Sequence, residues 1–154
     1  MLIRARKAAA LAAAALVTTV TTVSVTEANA PPTRYMPLGG GLILDTKTQL
    51  QWEEPVSATL VTLAAGKSGC AKALYRVPTV GELLTLVDDS QVTPPVMDPT
   101  FTLPKGATTS KFWTATAAAG MVTGLAWQVD FASGEPSPAP VTGTALVRCV
   151  KSLP

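Results

Sequence analysis

Cys70 and Cys149 carry the most reactive side chains in this 154-residue sequence, and they are its two cysteines. An even pair in an exported chain is most simply one disulfide. Closing the loop from residue 70 to residue 149 would stabilise the fold by about 4–5 kcal/mol in the loop-entropy model. The alternative, a reactive or metal-binding thiol, wants a basic or histidine neighbour. The chain has no histidine, and Arg148, adjacent to Cys149, is expected to point to the opposite face of a strand. The missing histidine also removes every Ser-His or Cys-His catalytic pair and every His-ligated metal site.

The carboxylates offer less. Asp88, Asp89, Asp98 and Asp130 would suit a calcium cage or an acid/base pair only if they converged, and no EF-hand loop or repeated acidic motif is present. The simpler reading makes Asp88 a partner of Arg76 and Asp130 a strand-face residue. Serine and threonine are plentiful, yet there is no Gly-x-Ser-x-Gly elbow, Ser-x-x-Lys motif or phosphate-cradling loop, and Gly39-Gly40-Gly41 reads as a turn. The expectation is a protein that is not an enzyme and uses no cofactor or metal.

Residues 1–30 look like a secretory signal: Arg4, Arg6 and Lys7, then an apolar run over Ala8 to Val17, then Ala28-Asn29-Ala30 as a cleavage site. An uncleaved anchor is the alternative, but five Thr or Ser residues interrupt Ala8 to Val25. The expected mature chain starts at Pro31, is exported to the periplasm, cell surface or exterior, and does not insert in the membrane. Of 12 Lys and Arg and 10 Asp and Glu, the leader holds Arg4, Arg6, Lys7 and Glu27, leaving nine of each sign. A neutral domain without a basic cluster excludes nucleic acid as a partner.

All 13 prolines and 11 glycines lie after residue 30, which predicts a loop-rich single domain over 35–152 behind a tether at 31–34. Leu42 to Asp45 and Leu50 to Trp52 read as a hairpin. Ala58, Leu60, Val61, Leu63 and Ala64 suggest a short helix ending near Gly66. Thr79-Val80-Gly81-Glu82 is a capping box, and Leu83, Leu84, Leu86 and Val87 supply its buried side, predicting a helix at about 79–88. Residues 90–111 read as an irregular connection. Lys111 to Ala115 reads as a strand. The alternation of Leu125, Trp127, Val129 and Phe131 gives another with one buried face. Pro136, Pro138 and Pro140 are expected to keep their segment out of any sheet, and Ala145 to Lys151 to form a last strand. Trp52, Trp113 and Trp127 are expected in the core.

Five blocks in order resemble a known family: Asp45-Thr46-Lys47-Thr48-Gln49-Leu50-Gln51-Trp52, then Tyr75-Arg76-Val77-Pro78-Thr79-Val80-Gly81-Glu82-Leu83-Leu84-Thr85-Leu86-Val87-Asp88, then Phe112-Trp113-Thr114-Ala115-Thr116, then Trp127-Gln128-Val129-Asp130-Phe131, then Val147-Arg148-Cys149-Val150. The chain is similar over Tyr35 to Lys151 to the bacterial family of the C-terminal domain of the Legionella collagen-like adhesin (Lcl). The resemblance implies an α+β, C-type-lectin-like fold of the formylglycine-generating-enzyme branch. It also implies adhesion through glycan or glycosaminoglycan binding. The chain departs from the pattern in lacking a collagen-like stalk, in Tyr75 where Trp is usual, and in Gln49 where Gly is common.

On this resemblance Trp52, Trp113, Trp127 and Phe131 are core, Arg76 is a buried or half-buried hydrogen-bonding hub, and Cys70–Cys149 is the staple. Ligand contacts would come from the loops at Ala117 to Gly124 and Ala132 to Gly143. The expected function is an exported, non-catalytic binding module for a carbohydrate or an envelope protein. The alternative is a structural or assembly subunit docking onto another envelope protein.

Overall fold

In a computed structural model, residues 33–120 and 123–154 are described; the expected signal segment, the first tether residues and part of the 117–124 loop lie outside them. The domain is α+β, with two antiparallel sheets and two short helices. Strands β1 (Tyr35–Gly39), β2 (Leu42–Asp45), β3 (Leu50–Glu53) and β7 (Val150–Ser152) form one sheet in the order β1-β2-β3-β7. Strands β4 (Lys111–Ala117), β5 (Leu125–Asp130) and β6 (Glu135–Pro140) form the other in chain order. Helices α1 (Leu63–Lys72) and α2 (Val80–Leu84) lie between β3 and β4 in sequence.

Local chemistry explains the first hairpin. Asp45 is fully buried, and its carboxylate accepts the amides of Lys47 (2.9 Å) and Thr48 (3.3 Å) while pairing with Arg34 at 2.8 Å. Burial alone would raise the Asp45 carboxyl, but these bonds outweigh it and hold the group below its usual range. Arg34, expected in the tether, is thereby tied to the domain. Gln49 takes the left-handed conformation, φ 58°, that the turn requires.

The capping box forms as predicted: Thr79 Oγ1 accepts from Glu82 N at 3.2 Å and a Glu82 oxygen accepts from Thr79 N at 2.8 Å. The helix, however, stops at Leu84 rather than 88. The Leu86 carbonyl accepts from Asp98 N at 2.9 Å, and Val87 pairs with Met97, so tertiary bonds take over where helical ones would continue. The helix expected before Gly66 is also displaced. Residues before Val61 are not helical, and α1 begins after Thr62, whose hydroxyl accepts from Ala65 N. Gly66 sits inside α1 because a Cβ there would meet Val147 Cγ2 at 2.6 Å.

Two strand expectations need correction. Pro136, Pro138 and Pro140 lie within β6, not outside the sheet. A proline at every second residue of an edge strand places all three missing N–H groups on one side, away from β5, so no ladder bond is lost and the edge is closed to further strands. Ala145 to Lys151 is not one strand; Ala145 and Leu146 make single bridges to Val61 and Phe112 as the chain crosses between sheets, and β7 begins at Val150. Trp52, Leu83, Phe112, Phe131, Leu146 and Val150 form the main core between the sheets, fully buried. Trp113 anchors a second cluster with Leu63, Cys70 and Ala126, its indole N–H donating to Val61 O at 2.9 Å.

Candidate functional site

Where α1 meets the end of β3, the surface opens into a cleft of about 350 Å³. Its parts are set by backbone bonds and by one covalent link. Cys70 in α1 and Cys149 before β7 are joined as a disulfide, with Cα atoms 5.5 Å apart. Glu53 N donates to Cys149 O at 3.0 Å and Glu54 N to Gly41 O at 2.8 Å, so β3, the glycine turn and the disulfide strand are tied at one point. Gly41 has φ +79°, and a Cβ there would meet Glu54 O at 2.7 Å. Glycine is required for this approach.

The far wall is the end of α1. Tyr75 N donates to Cys70 O at 3.0 Å and Leu74 N to Ala71 O at 3.0 Å, a Schellman-type stop with Leu74 at φ 60°. The chain reverses, and Tyr75 faces the cleft with the Lys151 ammonium 5.0 Å from its ring centroid. A second depression of about 230 Å³ adjoins the first, sharing Glu53, Gly69 and Cys149.

Arg148 lies under this site, fully buried. Its Nη1 donates to Glu53 O at 2.8 Å and pairs with Glu54 Oε2, and its Nη2 donates to Thr102 O at 2.8 Å. The guanidinium lies 5.1 Å from the Phe101 ring centroid and 5.6 Å from that of Phe112. Burial lowers its pKa from the usual arginine range, opposed by Glu54. One arginine thus fixes the β3 end, the 102 loop and the disulfide strand together.

The residues singled out from sequence fall differently. Trp52 and Trp113 are fully buried, but Trp127 is half-buried, because the face of β5 turned to the second core carries Ala126 (2% exposed) and Gln128 (6%) instead. Arg76 is not a buried hub and does not pair with Asp88. It is exposed and makes a two-pronged pair with Glu82, both bonds 2.7 Å. Asp88 is buried and satisfied locally by Ser90 and Gln91, whose bonds outweigh burial and lower its carboxyl. Among the described residues no three metal-ligating side chains gather. Half of the segment 132–143 is β6, and none of it lines the cleft. Cys149 lines it, beside Glu53, Glu54 and Tyr75. Of these, Glu53, Glu54 and the deeper Arg148 escaped sequence reasoning. The available signal was an arginine inside an otherwise apolar run.

No curated protein matches the chain. The profile of the Lcl C-terminal domain matches residues 41–151, from the glycine turn through the disulfide strand to β7. With nearly the whole described fold inside that match, the chain belongs to the Lcl C-terminal domain family.

Proposed function

We propose that the protein is an exported, non-catalytic binding module that takes a glycan in the cleft beside the disulfide. One observation carries this reading: a half-buried tyrosine ring, Tyr75, and a carboxylate, Glu53, line one open cleft whose walls are tied by a disulfide and by Arg148. An aromatic face beside a fixed hydrogen-bond acceptor is the kind of surface that orients a small polar ligand. Membership in an adhesin-derived family supports the same reading. A C-type-lectin-like fold belongs to the proposal, supported by two antiparallel sheets joined by long irregular connections.

Export is supported by the disulfide, which persists in oxidising compartments. A binding rather than catalytic role is supported by the bridging of both cysteines and by the absence of histidine from the sequence. Among the described residues no helix is long and apolar enough to cross a membrane. The assembly-subunit reading has one observation in its favour: Met36 and Leu38, about half exposed on the edge strand β1.

The test is a glycan array probed with the disulfide-bonded protein, beside a pull-down from envelope extract. Glycan binding that is lost when Tyr75 is replaced by Ala, and kept in Met36→Ser, is the expected result. A blank array with one partner recovered through Met36 and Leu38 would replace the proposal with the assembly reading.

A further inference from the structure

Two glutamates border the cleft, and only one has its carboxylate hydrogen-bonded. Glu54 has both oxygens occupied, by Arg148 Nη1 and by the Thr102 hydroxyl. Glu53 has its backbone fixed on both sides, its N–H to Cys149 O and its carbonyl from Arg148. Among the described residues its carboxylate makes no hydrogen bond or ion pair. It lies between the two depressions, lining both. Lys151, the ammonium beside the cleft, is drawn to the Tyr75 ring and does not pair with Glu53.

A carboxylate on a fixed backbone, without a hydrogen-bond partner in a concave site and with only the Coulombic attraction of the buried Arg148 behind it, favours a cationic ligand group, because a charge-assisted hydrogen bond is about twice as strong as a neutral one. Resting on the glycan-binding reading above, we infer that the cleft selects an amino sugar with a free ammonium group, with Glu53 as its counter-charge. The backbone argues for a sugar over a peptide. Recognition of an extended peptide by a strand edge needs unpaired backbone groups. Here the amides of Glu53 and Glu54 and the carbonyls of Gly41, Glu53 and Cys149 are already bonded within the domain. Side chains must do the reading, and those present are a carboxylate and a tyrosine. The two depressions meet at Glu53, Gly69 and Cys149, which suits a short oligomer with the amine near its middle.

Calorimetric titration of the disulfide-bonded protein with a glucosamine tetramer, its fully N-acetylated counterpart and trilysine tests the inference. The glucosamine tetramer is expected to bind about tenfold or more tightly than the acetylated one, and Glu53→Gln to remove that difference. Since Glu53 makes no side-chain bond, the variant should melt with the wild type. Equal binding of both tetramers, indifferent to Glu53→Gln but lost in Tyr75→Ala, would overturn the amino-sugar inference and leave the glycan module standing. Trilysine binding as tightly as the glucosamine tetramer would overturn it in favour of amine-bearing peptides. No binding of either tetramer would overturn it too, and a blank array would then remove the glycan reading as well.

Discussion

Replacing Arg148 with methionine should remove a large share of the protein's stability, whereas replacing Arg76 should hardly matter. Arg148 is fully buried and its removal leaves Glu54, whose side chain is 13% exposed, without its counter-ion. Breaking a buried pair from one side costs about 3–5 kcal/mol. The carbonyls of Glu53 and Thr102 also lose their donor, each worth about 1–3 kcal/mol if it stays dry. These losses share one site and do not simply add. A total of at least about 4 kcal/mol is expected, against about 5–15 kcal/mol for a whole domain. Methionine fills much of the space between Phe101 and Phe112, so the loss reports hydrogen bonds and charge more than a cavity. Lysine should recover only part of it, because one ammonium cannot reproduce the planar fork that reaches three acceptors. Arg76→Ala removes a pair whose side chains are 44% and 23% exposed, for under about 1 kcal/mol. Urea unfolding followed by tryptophan fluorescence measures both. An Arg148→Met variant within about 1 kcal/mol of wild type would refute the reasoning, as would a larger loss for Arg76→Ala.

Further outcomes concern the frame of the site. Cys149→Ser should lower stability by about 3–5 kcal/mol in thermal unfolding; an unchanged melting temperature would mean that the staple does not restrain the unfolded chain. Leu74→Gly should raise stability by about 1 kcal/mol, since Leu74 is 86% exposed and held at φ 60°, and a loss would show that its side chain makes contacts that matter. The Tyr35 hydroxyl, pushed up to about 12 by burial, should ionise late in an alkaline absorbance titration. The unfolded chain loses that proton near pH 10, so between about pH 10 and 12 the folded state binds more protons and stability falls as pH rises. Tyr35→Phe should abolish that part of the slope, and a Tyr35 that titrates near 10 in the folded protein would contradict its burial.

What could be read from sequence was mostly local. The Thr79–Glu82 box and the Asp45 turn use groups three residues apart or fewer, so residue type and spacing suffice to specify them. The cysteine pair was readable because two thiols in a chain read as exported have one economical use. The family blocks located Tyr75, although its role on the cleft wall depends on the Leu74 reversal. The role of Arg148 was signalled only by its place in an apolar run, and its partners Glu53, Glu54 and Thr102 were not readable because they lie 95, 94 and 46 residues away. Helix α2 was predicted too long because the bond that ends it comes from Asp98, in another segment. The three prolines of β6 looked like loop residues because only the sheet order makes that strand an edge. Trp127 was assigned to the core on periodicity, but β5 buries small and polar residues on its other face too.

The central claim is that the cleft between the glycine turn, the end of β3 and the end of α1 holds the ligand. Backbone amide spectra recorded while a glycan retained from the array is titrated in test it most directly. The account predicts that the resonances that shift cluster at Gly40, Gly41, Glu53, Gly69, Ala73 and Tyr75. Shifts clustered instead on the β4-β5-β6 sheet, with those six residues unmoved, would contradict it.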